Sequence, residues 1–197
     1  EPLATAAGNA LEIRNAVEFL TGKHRDPRLL EVTLALSAAA LELTGFSGNA
    51  RHAVHAALST GKAKEHFSQM VTMLGGPADF VEKMDSHLEA APIVRDVFAP
   101  NPGVVGAIDT RGVGMAVVAL GGGRRMPTDT IDHAVGFDRL AGLGARVDSE
   151  TPIARLHARD EATAADAERR LIVAYRLGDS APKHPLIPER IDFREGA

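Results

Sequence analysis

Residues 109–125 have the sequence DTRGVGMAVVALGGGRR, in which a mostly apolar segment leads into three glycines and two arginines. The apolar part predicts a helix from about Arg111 to Leu120, although its two adjacent valines would equally suit a strand. Consecutive glycines leave backbone amides accessible, and Arg124 and Arg125 offer forked donors that suit an anion. The stretch after the helix is therefore either a flexible turn with solvated charges or a loop that contacts an anion.

Composition excludes several classes of protein. The chain has 197 residues, of which 45% are hydrophobic and 24% charged, and this predicts a folded protein with a sizeable core. The absence of cysteine excludes disulfides and thiolate chemistry and favours a reducing, cytoplasmic compartment. A net charge of -4 and a pI of about 6.1 give no basic footprint for nucleic acid. The longest apolar run, residues 34–41, is much shorter than the roughly 20 residues of a membrane span.

The first half of the chain has helical periodicity. Asn9 and Glu12 form a variant of the capping box that begins one helix, and Asp26 followed by Pro27 begins a second. The second helix, Leu29 to Leu43, is apolar on nearly every side, which predicts that it is buried. Shorter helices are predicted at residues 50–58, 63–74 and 78–84.

From Ala91 onward the pattern changes to short, β-rich segments. A convincing helix is still predicted from Ala162 to Leu177, with acidic residues at its start and Gly178 after it. The tail after Pro182 is expected to be extended and irregular. Strands are predicted at residues 93–94, 97–98, 104–105, 134–137 and 153–158.

No common catalytic or nucleotide-binding motif is complete. A GxxxxGK phosphate loop ending at Lys62 would need a glycine where Ala56 stands, and a GxGxxG pattern from Gly112 meets a valine at its third glycine. His52 and His55 have no carboxylate at ligand spacing, so they do not indicate a metal site. We expect no self-contained catalytic constellation in this chain.

Several stretches occur together in an order that resembles one family. They are EPLA and AGNALE within residues 1–12, FLTG at 19–22, DTR and GMAVV within 109–118, GGGRR at 121–125, DTID at 129–132 and VGF at 135–137. The ordered set resembles the thymidine and pyrimidine-nucleoside phosphorylases, and looks closest to the bacterial thymidine phosphorylase branch. The resemblance runs from Glu1 to about Pro182 and corresponds to the carboxy-terminal half of such an enzyme.

The resemblance implies a pentosyltransferase that converts thymidine and phosphate reversibly to thymine and 2-deoxyribose 1-phosphate. Phosphate is then a co-substrate, and no cofactor is expected. In relatives the phosphate loop and the base-binding residues lie upstream of the matched part, so we expect no catalytic residue in this chain and no activity from it alone. The chain is expected to be a fragment, lacking the amino-terminal half, of a parent that forms a homodimer.

Two site assignments follow from the same resemblance. The carbonyls of Leu3 and Ala6 match a turn that helps to hold a structural cation in some relatives, but Asn15 stands where those relatives have a glutamate and is a weaker ligand for a hard cation. Residues 121–134 match a loop that orders near the cleft as the domains close, which makes Arg124 and Arg125 candidates for cleft-closing contacts. The nearby acidic residues, Asp129 and Asp132, are expected to be turn and cap residues.

The implied fold class is α/β and α+β. Residues 1–90 are expected to be the helical part of the phosphorylase α/β domain, with apolar surface exposed on the long helix because the parallel strands lie mostly upstream. Residues 91–197 are expected to form a mixed α+β carboxy-terminal domain. Its strands should be barrel-sandwich-like, since residues 143–153 are similar to the hinge of biotinyl and lipoyl domains.

Other functions stay open. The parent enzyme could be a pyrimidine-nucleoside phosphorylase of broader specificity, because residues that read the sugar and base are not in this sequence. The chain could instead be a stand-alone binding module that reuses the carboxy-terminal domain. A lipoyl-like carrier is disfavoured, because the lysine that carries the cofactor in such domains is absent.

Overall fold

The computed structural model describes residues 1–191. In this range, the elements before residue 88 are all helices, and all of the strands lie after residue 92, together with two further helices. The helices of the first part are α1 (Asn9–Thr21), α2 (Pro27–Leu43), α3 (Ala50–Ser59), α4 (Lys62–Met73) and α5 (Met84–His87). The second part contains β1 (Ile93–Val97), β2 (Gly103–Ile108), α6 (Thr110–Ala119), β3 (Gly136–Asp138), β4 (Arg146–Val147), β5 (Ala154–Ala158), α7 (Glu161–Ala174) and β6 (Tyr175–Gly178). The described residues therefore form a mixed, α+β arrangement of helices and antiparallel sheets.

The strands of the second part form two small sheets. One has the order β1-β5-β3 and the other the order β4-β2-β6, and all pairs are antiparallel. Helices α6 and α7 pack against each other, and α7 also contacts β1 and β5. Apolar side chains of both sheets and of α6 and α7 form one core, whose fully buried members include Val97, Val105, Phe137, Leu156 and Leu171. Buried and partly buried positions alternate along β5, as expected for a strand with one face on a core.

The long helix α2 is less buried than its apolar sequence predicts. Leu34 and Ala38 are buried, whereas Leu36 is 66% exposed and Leu43 is 89% exposed. The helix packs mainly against α3. The expected exposed apolar surface is present, and the expected burial on most sides is wrong. Nothing between residues 1 and 191 has both the helical length and the apolar character required to cross a bilayer.

The start of α1 differs from the predicted capping box by one residue. Gly8 is the N-cap, and its backbone N–H donates to Oε1 of Glu12 at 2.9 Å, so Glu12 reaches back as predicted. Asn9 lies inside the first turn, and its side chain donates to the carbonyl of Gly122 at 3.0 Å. The predicted start of α2 is confirmed, since the Asp26 carboxylate accepts from the backbone N–H of Leu29 at 2.9 Å.

Two other predicted helices need correction, and one strand was not predicted. Residues 78–83 form turns, and the short helix α5 begins only at Met84, where the sequence predicted a helix to end. The helix predicted to reach Leu177 ends at Ala174, because residues 175–178 pair with β2 as β6. Strand β4 was not predicted at all, since a two-residue strand carries no periodicity. Of the irregular tail predicted after Pro182, residues 183–191 have no helix or strand, and residues 192–197 lie outside the described part.

The amino-terminal turn joins the strand-rich part through a backbone contact. The N–H of Ala7 donates to the carbonyl of Phe137 at 2.9 Å, and the N–H of Phe137 donates back to the carbonyl of Ala7 at 2.8 Å. Gly8 and Gly136 flank this bridge with φ angles of 132° and 150°. The first residues of the chain are thereby held against β3, next to the loop that follows α6.

Candidate functional site

The loop that follows α6 is tied down at both ends. We call residues 121–133 the glycine–arginine loop. The N–H of Asp132 donates to the carbonyl of Gly121 at 2.9 Å, which closes the loop on itself. Asn9 of α1 donates to Gly122 at 3.0 Å, and the N–H of Ala10 donates to the carbonyl of His133 at 3.0 Å. Helix α1 therefore holds both the entry and the exit of this loop.

Asp132 is held further by an arginine from the end of β5. Arg159 donates through Nε and Nη2 to the two carboxylate oxygens of Asp132 at 2.8 and 2.9 Å, and through Nη1 to Glu89 at 2.8 Å. The hydrogen bonds from Arg159 keep the pKa of the Asp132 carboxyl below its usual value. The N–H of Ala134 also donates to Asp132, so the predicted turn role of Asp132 is confirmed. The ion pair with Arg159 was not predicted, because the two residues are 27 positions apart.

The tip of the loop presents two exposed arginines, Arg124 and Arg125, close enough to the Asp129 carboxylate to attract it through space. Asp129 accepts from the backbone N–H groups of Met126 and Arg125 at 3.0 and 2.9 Å, and these bonds lower the pKa of its carboxyl. Its predicted turn role is thus confirmed. Arg124 and Arg125 are exposed, and within residues 1–191 neither guanidinium forms a hydrogen bond or an ion pair. The arrangement can offer two forked donors to an anionic or carbonyl-bearing surface that approaches the tip.

The turn that contains Leu3 and Ala6 lies beside α1 and borders an apolar cleft of about 620 Å³. Asn15, which also lines the cleft, is partly buried, and its Nδ2 lies 3.5 Å from the hydroxyl oxygen of Thr5. The donor set is two backbone carbonyls and one neutral amide, and the nearby carboxylate of Glu12 already accepts from Gly8. Divalent hard cations prefer carboxylate oxygens. These residues therefore do not fit a divalent cation.

The histidines do not assemble a site in the described residues. His52 and His55 are exposed on α3, and within residues 1–191 no group of three histidine, aspartate or glutamate side chains is placed to hold a metal ion.

The structure contains a polar cluster, formed by Asp138, Arg155 and His157, that was not predicted from the sequence. Asp138 at the end of β3 lies opposite Arg155 of β5, and the guanidinium donates to the two carboxylate oxygens at 2.9 and 2.5 Å. Nε2 of His157 is 3.3 Å from the same carboxylate, at an angle that does not make a hydrogen bond. Burial raises the pKa of the Asp138 carboxyl, but the contacts of His157 and Arg155 outweigh burial and bring it to about 2. The pairing depends on strand register, which could not be read from the sequence.

The strand-rich part and its loop match a known family. Residues 104–178 match the sequence model of the pyrimidine nucleoside phosphorylase C-terminal domain. This match supports the family that the sequence resembles.

The matched segment runs from β2 to β6 and covers less than half of the chain. It includes the glycine–arginine loop with Arg124 and Arg125, and it leaves out Leu3, Ala6 and Asn15. The family consists of pentosyltransferases, so the match supports a glycosyltransferase as the kind of enzyme to which such a domain belongs.

Proposed function

We propose that this chain is the carboxy-terminal half of a thymidine phosphorylase. The observation that carries the proposal is the match of residues 104–178 to the C-terminal domain of pyrimidine nucleoside phosphorylases. The ordered motifs outside the matched segment, from residues 1 to 22, support the same assignment. Cytoplasmic location and assembly of the parent as a homodimer belong to this proposal.

The proposed reaction is displacement at the anomeric carbon of a deoxyribonucleoside. A phosphate oxygen bonds to C1′, the bond from C1′ to the pyrimidine nitrogen breaks, and its electron pair leaves with the base, which gains a proton to become thymine. The enzyme must hold phosphate beneath C1′ and stabilise the negative charge that develops on the pyrimidine. We assign both tasks to residues upstream of this chain, because residues 1–191 contain no complete phosphate loop motif.

The contribution of this chain to the reaction is that the glycine–arginine loop closes the substrate cleft of the parent enzyme. The loop has fixed ends on α1 and Arg159, while the guanidinium groups of Arg124 and Arg125 form no hydrogen bond or salt bridge within residues 1–191. A loop with fixed ends and free donors at its tip suits a contact that forms only in the closed enzyme. Closure would exclude water and hold the two substrates in reacting geometry.

A substrate panel tests the proposed activity. The full-length protein that contains these residues is incubated with phosphate and thymidine, deoxyuridine or uridine, and release of free base is followed. We expect kcat/KM for thymidine and deoxyuridine to exceed that for uridine at least about tenfold, since a site that binds a deoxyribose rejects an added hydroxyl. Comparable turnover of uridine would instead support the broader pyrimidine-nucleoside phosphorylase. No release of base from any of the three would contradict the function.

Replacing both tip arginines tests the proposed role of the loop. The double variant R124A/R125A of the full-length protein should lower kcat/KM for thymidine about tenfold, because charge-assisted hydrogen bonds of the closed state are lost. Its Tm should change little, since neither guanidinium forms a hydrogen bond or a salt bridge within residues 1–191 and each attracts the exposed-loop carboxylate of Asp129 only through space. R146A is the matched control, because Arg146 is an exposed arginine on β4. An unchanged kcat/KM in the double variant would remove Arg124 and Arg125 from the closing contacts.

A stand-alone binding module is the second candidate. The observation in its favour is that the strand-rich part has its own core, formed by residues between 97 and 175. Saturable binding of thymidine by the full-length protein without any release of thymine would favour this candidate over the enzyme.

A further inference from the structure

A second cleft, lined by charged side chains, lies between α1 and the ends of β3 and β5. We call it the α1–β3 cleft. Its volume is about 430 Å³, within the range of roughly 300–1,000 Å³ that is usual for small-molecule sites. The basic side chains that line it come from the two parts of the chain, and they are Arg14, Lys23, His24, Arg139 and Arg155.

The cleft carries an excess of positive charge. Its lining has two carboxylates, Glu18 and Asp138, against the four cationic side chains of lysine and arginine. Lys23 pairs with Glu18 at 3.0 Å, and the pair between Arg155 and Asp138 fixes the position of that arginine on the wall. Arg14 forms its ion pair with Asp85, a residue that does not line the cleft.

Arg139 is the cationic side chain of the cleft lining that forms none of these ion pairs. It is exposed, and its guanidinium makes no hydrogen bond or ion pair within residues 1–191. It is also the one residue other than glycine among residues 1–191 with a positive φ, at 52°. Glycine and asparagine occupy this left-handed conformation more easily than arginine does. A strained position that keeps a long cationic side chain at the mouth of a cleft points to a role for that side chain.

We propose that the α1–β3 cleft binds a small phosphate compound, with Arg139 as the main contact. Once the ion pair of Arg14 with Asp85 is counted, Arg139 supplies one unpaired positive charge, which complements a phosphate group. The forked guanidinium groups of Arg139 and Arg14 match the geometry of phosphate oxygens. The cleft is also large enough to hold an organic group beside the phosphoryl group.

Binding to the chain of residues 1–197 tests this proposal. Inorganic phosphate and ribose 5-phosphate are titrated by calorimetry in phosphate-free buffer, with ribose as the uncharged control. We expect saturable, salt-sensitive binding of ribose 5-phosphate and none of ribose. Tighter binding of ribose 5-phosphate than of inorganic phosphate would show that the site holds a phosphate ester. Equal binding of the two would show that it reads the phosphoryl group alone.

Two substitutions at position 139 separate binding from folding. R139G and R139N remove the guanidinium and suit the positive φ, so they should bind at least tenfold more weakly while their Tm is unchanged or higher. R146A is the control, because it removes an exposed arginine outside the cleft and should bind like the unaltered chain. Absence of saturable binding would overturn the proposal. Equal binding by R139G and the unaltered chain, or equal loss in R146A, would do the same.

This inference goes beyond the proposed function. Its readout is binding rather than turnover, so a failure here leaves phosphorolysis unaffected, and a failure of phosphorolysis leaves the binding test intact.

Discussion

Gly136 occupies a position where only the absence of a side chain allows the backbone to close. A Cβ added there would lie 2.3 Å from the carbonyl oxygen of Ala7 and 3.0 Å from Cα of Gly8. Its φ of 150° is also one that L side chains rarely adopt. The bridge between Ala7 and Phe137 therefore depends on this residue.

We expect G136A to lower the free energy of unfolding by about 2 kcal/mol or more, because the strained φ and the backbone clash add. Denaturant unfolding followed by circular dichroism measures the change. G114A is the control: Gly114 lies within α6 with nothing within 4 Å of an added Cβ. That variant should be stabilised by about 0.5–1 kcal/mol. A G136A protein as stable as the unaltered chain would show that the bridge is not required.

The Asp138 carboxylate should make the free energy of unfolding depend on pH in the acid range. Its carboxyl has a pKa of about 2 when folded against an ordinary value of 3.8, so its ionised form stabilises the folded state above pH 3.8. That stabilisation is about 2 kcal/mol and is lost as the pH falls from 3.8 towards 2. The side chain is only 16% exposed, so solvent screens little of it.

The variant D138N should therefore be about 2 kcal/mol less stable than the unaltered chain at pH 7, with the difference shrinking at pH 2.5. Urea unfolding at the two pH values measures it, and D179N, which changes an exposed carboxylate, serves as control. A difference that is the same at both pH values would show that the Asp138 charge is not what stabilises the contact.

The position of the glycine–arginine loop depends on Arg159, a residue distant in the sequence. Arg159 holds Asp132 by two hydrogen bonds and Glu89 by a third. R159A should open the loop, because it removes the guanidinium that holds both carboxylate oxygens of Asp132. Amide hydrogen exchange in residues 121–135 should then become about fivefold faster.

Two control variants show whether faster exchange is caused by loss of the Arg159 contacts with the loop. R159K preserves the charge without the fork and should give an intermediate rate. R170A removes an exposed ion pair with Asp166 on α7 and should leave exchange in the loop unchanged. Unchanged exchange in R159A would show that the backbone contacts with α1 are sufficient to hold the loop.

Local signals in the sequence predicted most helices but not the pairing of short strands. Asp26 and Pro27 marked the start of α2 correctly, because a cap and its helix are neighbours in sequence. The end of α7 was predicted three residues too late, since pairing with β2 overrides the helical pattern of residues 175–177. The ambiguity over Val117 and Val118 is settled in favour of helix α6. The ties of Asp132 to Arg159 and of Asp138 to Arg155 could not be predicted, because they depend on tertiary packing and strand register.

At the scale of the whole molecule, the helical and strand-rich parts meet along α1. Helix α1 contacts both α4 of the helical part and β3 of the strand-rich part. The Ala7 to Phe137 bridge and the contact of Asn9 with Gly122 attach the first residues to the strand-rich part. The sequence suggested a boundary near residues 90–92, where helices give way to strands, but it could not show that residues 1–10 pack against the later strands. That boundary stays a prediction.

Release of thymine from thymidine and phosphate decides whether this chain is the carboxy-terminal half of a thymidine phosphorylase. It is measured on residues 1–197 alone and on the full-length protein that contains them. We predict turnover by the full-length protein and none above background by residues 1–197, because the proposed function assigns the groups that hold phosphate and the base to residues upstream. Robust turnover by residues 1–197, or no thymine release by the full-length protein, would contradict it.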